Sequence, residues 1–198
     1  LHEYAKKLGI QIVGDLPFYV GIDSCDVWAN QGEFLLDPET KAPTFIAGVP
    51  PDYFSATGQR WGNPIYDWDY LKATDYAFLQ ERILRASKVY DVIRLDHFRA
   101  FDTFWKIPSP CPTAIEGAWI EAPGYEFFDS LFAKDPSLKE RIIAEDLGEE
   151  AFLEARVFSE EGIHEFLSGG HDTGALDLGR AGRGVLSARF ERAHFGDT

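Results

Sequence analysis

Short apolar runs along the chain predict three buried strands. These runs are IQIVG at residues 10–14, DVIRLD at 91–96 and RIIAEDLG at 141–148. Each run is too short for a helix and is bounded by glycine or charged residues, as buried strands are. Residues 33–48 predict two further short strands around a turn at residues 37–40.

Apolar residues at helical spacing predict helices before the second and third of these strands. Within residues 69–90, Tyr76, Leu79 and Ile83 fall on one stripe, and residues 125–135 form a second candidate helix. Helices that alternate with strands in this way are typical of a parallel sheet with right-handed crossovers. The pattern therefore predicts an α/β fold.

The composition describes an acidic protein with enough apolar residues for the core of one domain. The chain has 198 residues, 45% of them hydrophobic, and a net charge of −14. Its lysines and arginines are scattered, so we expect no nucleic-acid partner and no anionic membrane partner. No apolar run approaches the roughly 18 residues of a transmembrane helix, so we expect no membrane span.

The cysteines and the start of the chain add two expectations. Cys25 and Cys111 lie in unrelated contexts and form neither a disulfide framework nor a metal motif, which predicts a reducing, cytoplasmic setting. The sequence starts at Leu1 and contains no methionine, which predicts a segment of a longer protein. We expect such a segment, taken alone, to be poorly stable and nearly inactive.

Acidic residues end all three predicted strands, at Asp15, Asp96 and Glu145. In parallel α/β proteins, ligand chemistry collects at the carboxyl ends of the strands. Because side chains alternate along a strand, Arg94 and Asp96 face the same side, where the arginine keeps the aspartate ionised. An ionised aspartate held in place is what a nucleophile requires.

Glu145 has a different predicted environment. It emerges from an apolar strand beside Asp146, and burial and like charge both raise the pKa of a carboxyl group. A glutamate that keeps its proton near neutral pH can act as a general acid, and two carboxyl groups with separated pKa values are the pair that glycoside chemistry uses. An aromatic loop predicted at residues 48–68 adds side chains suited to stacking on sugar rings, namely Tyr53, Phe54, Trp61, Tyr66 and Trp68.

Each of these features also has a purely structural interpretation. An arginine and an aspartate two residues apart on a strand form an ordinary ion pair in most proteins. Aromatic loops pack as small cores under proline-rich segments, and His97 fits the role of a hydrogen-bonded structural histidine. The functional hypothesis therefore depends on the three acidic strand ends together with the aromatic loop.

Four segments together resemble one known family. They are GDLPFYVGIDSCDVWAN, AGVPPDYFSATGQRWGNPIYDW, YDVIRLDHFRAF and IIAEDLG, in the order found in the 4-α-glucanotransferases or amylomaltases, family 77 of the glycoside hydrolases. The resemblance extends from Ile10 to Gly148. It implies a (β/α)8 TIM barrel of the α-amylase clan, here a partial barrel because a complete one needs about 250 residues. Residues 1–168 would belong to this catalytic barrel, and residues 169–198 would form a tail.

The resemblance implies an activity and a set of site residues. The activity is transfer of α-1,4-glucan segments between maltooligosaccharides, with retention at the anomeric carbon and with no metal or organic cofactor. Asp96 would be the nucleophile, supported by Arg94, and Glu145 would be the acid/base. His97 would line the sugar site. The other positions that match glucan-binding residues of the family are Asp15, Tyr53, Phe54 and Trp61.

The family also carries a third acid in a THDNDT-like motif, for which GGHDTG offers His171 and Asp172. This match lacks the central ND and follows Glu145 more closely than in the family. Either a piece of the family sequence is missing, or the tail is unrelated.

Other functions stay open beside glucan transfer. They are a hydrolytic α-glucanase of the same clan, a non-catalytic or degenerate glucan-binding fragment, and an unrelated α/β binding domain.

Overall fold

The computed structural model describes residues 1–145 of the chain. Within that range the α-helices are α1 His2–Lys7, α2 Cys25–Ala29, α3 Trp68–Ala73, α4 Ala77–Ala86 and α5 Gly124–Lys134. The strands there are β1 Val13–Pro17, β2 Phe45–Val49, β3 Gln59–Pro64, β4 Val92–Asp96, β5 Thr103–Pro108, β6 Ala118–Glu121 and β7 Ile142–Ala144. Short 3-10 helices cover Gln31–Glu33, Phe98–Phe101 and Pro136–Glu140. None of the helices in this part of the chain is long and apolar enough to cross a bilayer.

A three-stranded parallel sheet, in the order β1-β4-β7, confirms the mixed α/β fold. In its register Asp15 lies opposite Arg94, and Leu95 lies opposite Ala144. The backbone N–H of Glu145 donates to the carbonyl of Leu95 at 3.0 Å, which extends the pairing one residue beyond β7. The carboxyl ends of three neighbouring strands therefore meet at one edge.

The first strand begins at Val13 rather than at Ile10. The N–H of Ile10 bonds to the carbonyl of Ala5 at 3.0 Å, and that of Ile12 bonds to the Asp91 side chain at 2.8 Å. These two backbone groups belong to the connection that follows α1, so they are not available to the sheet.

The single helix predicted over residues 69–90 is wrong. Two consecutive left-handed residues, Asp75 and Tyr76, each with φ of 53°, separate α3 from α4. The Tyr76 side chain is buried, and its ring lies edge-on to Phe127 of α5 with centroids 5.7 Å apart. The break between α3 and α4 lets the Tyr76 ring pack against α5, so tertiary packing overrides the helical pattern here.

A second, antiparallel sheet has the order β3-β2-β5-β6. Of the two short strands predicted over residues 33–48, the second forms as β2, whereas Phe34 and Leu36 make only isolated bridges. Strand β3 lies inside the predicted loop at residues 48–68, so that prediction is wrong for Gln59–Pro64. A side chain at Gly48 would place its Cβ 2.0 Å from the carbonyl oxygen of Gln59, so glycine is what lets β2 and β3 approach. The predicted turn at residues 37–40 is confirmed, because the Asp37 carboxylate accepts from the N–H of Thr40 at 2.7 Å.

An aromatic core fixes the chain immediately after β4. Phe98 and Phe101 are buried, and the Phe101 ring stacks on Phe127 with centroids 5.2 Å apart. Each fully buried side chain of this size stabilises the fold by about 1.5–3 kcal/mol relative to an exposed one. This core anchors the residues that follow Asp96.

Candidate active site

Arg94 lies at the centre of the acidic cluster at the carboxyl edge of the parallel sheet. Its Nη1 donates to Asp15 Oδ1 at 2.7 Å and lies 3.3 Å from Asp96 Oδ1. Its Nη2 donates to Glu145 Oε1. One guanidinium group therefore contacts a carboxylate from each of three neighbouring strands, which is the planar forked geometry that arginine provides and lysine does not.

Glu145 is the most enclosed of the three acids. Its side chain is 12% exposed, compared with 42% for Asp96 and 64% for Asp15. Loss of water around the carboxyl group raises the pKa of Glu145 most, and a hydrogen bond with Asp96 raises it further. The His97 backbone N–H, which donates to Oε2 at 2.7 Å, and the charge of Arg94 lower that pKa in part. The net pKa stays above its usual value, as a general acid requires.

His97 adopts a left-handed backbone conformation, with φ of 52°. This conformation is uncommon for a residue with a Cβ, and it directs the His97 N–H at Glu145. Burial lowers the pKa of His97 to about 4, so the imidazole is neutral at physiological pH. A neutral ring can donate one hydrogen bond and accept another from a sugar hydroxyl.

A cleft of about 470 Å³ opens beside these carboxylates. Trp61 and His97 meet edge to face on its wall, with ring centroids 4.8 Å apart. The Trp61 indole N–H donates to Gln59 Oε1 at 3.1 Å, which fixes the orientation of the indole ring. The residues that line the cleft are Pro17, Tyr19, Val49, Trp61, Asn63, Asp96, His97 and Glu145.

Two predicted glucan-binding residues lie apart from this cleft. Tyr53 and Phe54 are 98% and 90% exposed and contact each other, with ring centroids 5.7 Å apart. Their loop is held by the Asp52 carboxylate, which accepts from the N–H groups of Phe54 and Ser55. Asp146, His171 and Asp172 lie outside the described residues.

The cleft also contains residues that the sequence reasoning missed. Tyr19 and Asn63 line it, although both stand in the segments GDLPFYV and RWGNP that were singled out for other residues. Glu145 has a like-charged neighbour in Asp96, on the adjacent strand, which the sequence reasoning did not name as such. Tyr66 and Trp68, which were grouped with the sugar-stacking aromatics, instead pack in the core around Phe18. Within residues 1–145, no cluster of three or more His, Cys, Asp or Glu side chains has the arrangement of a metal site.

Comparison with known proteins gives consistent matches. The sequence model of glycoside hydrolase family 77, described as 4-alpha-glucanotransferase, matches residues 1–157. The 4-alpha-glucanotransferase of Synechocystis sp. is 52% identical over 145 residues, which are 73% of this chain and 28% of that protein. The 4-alpha-glucanotransferase of Thermus thermophilus is 48% identical over 147 residues, with the same coverage of 73% and 28%.

A solved structure agrees with these relatives. The amylomaltase from Streptococcus agalactiae in complex with acarbose superposes with a TM-score of 0.74 at 46% identity, over 79% of this chain and 31% of that one. The chain thus spans less than a third of the length of the relatives it matches. The family match extends through the segment that carries Arg94, Asp96 and Glu145, so the chain belongs to the 4-alpha-glucanotransferase family, glycoside hydrolase family 77.

Proposed function

We propose that the complete protein transfers α-1,4-glucan segments between maltooligosaccharides by a retaining double displacement. Asp96 is the nucleophile and Glu145 is the acid/base. The observation that carries the proposal is the single guanidinium of Arg94, which contacts both carboxylates at the carboxyl edge of the parallel sheet. This arrangement places a cation against the nucleophile and against an acid whose pKa is raised, as the two halves of glycoside chemistry require.

The first displacement cleaves the donor. Glu145 gives its proton to the glycosidic oxygen while an Asp96 oxygen attacks the anomeric carbon. The bond from that carbon to the glycosidic oxygen breaks, the released chain leaves as an alcohol, and the remaining glucan is esterified to Asp96. In the second displacement Glu145 takes a proton from a sugar hydroxyl, whose oxygen attacks the same carbon and frees the Asp96 carboxylate.

The sugar binds between the two acids. Retaining enzymes hold their carboxyl groups about 5–5.5 Å apart, with the sugar between them. Arg94 contacts both side chains, so it can keep Asp96 and Glu145 oriented toward a glucan that lies between them.

The choice of a sugar over water as acceptor follows from the wall of the cleft. Trp61 supplies an apolar face beside the neutral ring of His97, and such surfaces exclude water and favour sugar rings. Acarbose, with which the related amylomaltase from Streptococcus agalactiae forms a complex, is accordingly a ligand to test.

The remaining parts of the proposal concern the whole protein. Residues 1–145 form part of a (β/α)8 TIM barrel of the α-amylase clan, in which the parallel strands β1, β4 and β7 are neighbours. Asp172, with His171, is proposed as the third acid of that barrel, and Tyr53 and Phe54 as residues that cover the bound glucan. The partners are α-1,4-glucans, without nucleic acid, membrane or cofactor. Two free cysteines favour a reducing compartment such as the cytoplasm.

Product analysis on maltotriose tests the proposal in the complete protein. Transfer yields glucose together with a ladder of longer oligomers, whereas a hydrolase only shortens the substrate. Asp96→Asn and Glu145→Gln should each abolish the ladder, and Asp129→Asn, which changes an exposed acid on α5, should leave it intact. Binding of maltotriose without any product, unchanged by Asp96→Asn, would instead identify a non-catalytic glucan-binding protein.

A further inference from the structure

Tyr19 lines the cleft but has no role in the reaction proposed above. It lies two residues after the end of β1, lines the same cleft as Asp96 and Glu145, and is 9% exposed. Its ring lies 5.9 Å from that of His97 and 6.3 Å from that of Trp61, measured between centroids. The side chain therefore lies against the proposed sugar-binding wall.

The backbone on both sides of Tyr19 is fixed by side chains from distant parts of the chain. The carbonyl of Phe18 accepts from the Tyr66 hydroxyl at 2.6 Å and from Arg82 Nη1 at 3.2 Å. The carbonyl of Val20 accepts from Asn63 Nδ2 at 3.0 Å. These hydrogen bonds therefore hold the backbone on both sides of Tyr19.

The ring of Tyr19 is also fixed by its neighbours. It stacks on Tyr66 with an interplanar angle of 15° and a centroid separation of 6.1 Å, and it meets Phe18 edge to face at 4.7 Å. With both backbone and ring constrained, the direction of the Tyr19 hydroxyl is set before any ligand arrives. Such preorganisation lowers the entropy that binding must overcome.

The hydroxyl itself has no hydrogen-bond partner among residues 1–145, in contrast to the hydroxyl of Tyr66. The Tyr19 hydroxyl is also not among the enclosed, unpaired polar atoms of residues 1–145, so it is open to a ligand in the cleft. Burial also holds the pKa of Tyr19 well above its usual value, so the hydroxyl keeps its proton and can donate at any physiological pH.

We propose that the Tyr19 hydroxyl is a glucan-binding group that hydrogen-bonds to one hydroxyl of a sugar ring bound in the cleft. The inference rests on the proposed glucan substrate and adds a specific contact to it. The aromatic wall recognises the faces of the sugar, which all glucans share, whereas a directed hydroxyl recognises the position of one equatorial group. Tyr19 then contributes to selection among sugars as well as to affinity.

The test compares the complete protein with its Tyr19→Phe variant on maltotriose and on singly deoxygenated maltotriose analogues. We expect Tyr19→Phe to lower kcat/KM for maltotriose by about 2- to 10-fold, the range of one neutral hydrogen bond. One analogue should show a similar loss with the unaltered protein and no further loss with the variant, because both changes remove the same contact. Equal losses for both proteins on every analogue, or an unchanged kcat/KM for the variant, would overturn the inference.

Two further tyrosines give matched controls. Tyr66→Phe removes a hydroxyl bonded to the Phe18 carbonyl and should lower the thermal midpoint, whereas Tyr19→Phe should preserve it, since no bond in residues 1–145 is lost. Tyr70, on α3, is 45% exposed, so Tyr70→Phe should change neither stability nor kcat/KM. A fall in the midpoint for Tyr19→Phe equal to that of Tyr66→Phe would contradict the inference.

Calorimetry with maltotriose separates this inference from the proposed function. If the protein binds maltotriose without transferring it, the proposed transfer is wrong, and Tyr19→Phe should still raise the Kd by about 2- to 10-fold. An equal Kd for both proteins overturns the inference alone. Absence of maltotriose binding overturns both.

Discussion

Removal of the Arg94 charge is the most direct perturbation of the acidic cluster. Arg94→Gln keeps a polar side chain of similar length but deletes the cation that contacts Asp15, Asp96 and Glu145. The three contacts differ in the free energy that each contributes. The pair with Asp15 is largely solvated and contributes about 0–1 kcal/mol, as surface ion pairs do. The hydrogen bond to Glu145, whose side chain is 12% exposed, contributes about 1.5–3 kcal/mol as a charge-assisted bond.

The expected loss of activity follows from the contact between Arg94 and Glu145. Every 1.4 kcal/mol corresponds to about tenfold in an equilibrium or rate ratio. If the Glu145 contact persists in the transition state, Arg94→Gln should lower kcat/KM for maltotriose disproportionation by about 10- to 100-fold. Arg85→Gln is the matched control, because the ion pair of Arg85 with Glu81 on α4 is exposed.

The pH dependence of the variant gives a sharper test than its rate. Burial raises the pKa of Glu145, and the charge of Arg94 opposes that rise. Without the cation the pKa rises further, so the general acid keeps its proton to higher pH. The basic limb of the kcat/KM profile, which reports the proton of the free enzyme's acid, should therefore move to higher pH.

The assay measures initial rates of glucose release from maltotriose across pH for the unaltered protein, Arg94→Gln and Arg85→Gln. The reasoning predicts a displaced basic limb for Arg94→Gln alone. A basic limb that stays in place or moves to lower pH while the rate falls would show that Arg94 does not act on the proton of Glu145. The role of Glu145 as acid would then have to be abandoned as well.

Three further predictions concern stability, measured by thermal or urea unfolding. Gly14→Ala should destabilise by about 1–3 kcal/mol, because its Cβ would lie 2.1 Å from the Tyr90 ring, and the loss should be smaller when Tyr90→Ala is also present. Phe127→Ala should destabilise by about 3–5 kcal/mol, because Phe127 is completely buried. The hydrogen bond from the Ile12 N–H lowers the pKa of Asp91, so its stabilisation is present above the unfolded pKa of about 3.9 and is lost as pH falls through the lowered value. In Asp91→Asn the free energy of unfolding should therefore fall less steeply as the pH is lowered.

The parallel sheet could be predicted from sequence because its strands are nearly continuous apolar runs. Most residues of these two strands are buried, namely Val92, Ile93 and Leu95 in β4 and Ile142 and Ala144 in β7, so the apolar runs themselves mark the strands. The antiparallel sheet could not be predicted in the same way. Strand β3 has the sequence QRWGNP, most of it exposed, and it forms because β2 offers an unpaired edge. Such pairing is a property of two distant segments and leaves no local period.

The acidic cluster shows the same division between local and distant information. Strand alternation was enough to place Arg94 and Asp96 on one side, and the shared edge of parallel strands was enough to bring Asp15 and Glu145 there. The contribution of Asp96 to the raised pKa of Glu145 was not accessible, because these two residues are distant in sequence and adjacent only in space. Tyr19 was overlooked for a related reason, since only the folded chain shows that it lines the cleft beside Asp96 and Glu145.

The segment that follows β4 explains how this edge can be both polar and well ordered. Asp96 and His97 face the cleft, whereas Phe98 and Phe101, which come next, are buried against α5. The change of direction falls on His97, whose left-handed conformation separates the polar residues from the aromatic anchors. A longer connection would relieve that strain, but it would also detach the carboxylate from the core that holds it. Placing the strained residue between the acid and its anchor is therefore what transmits the rigidity of the core to Asp96 and, through the His97 N–H, to Glu145.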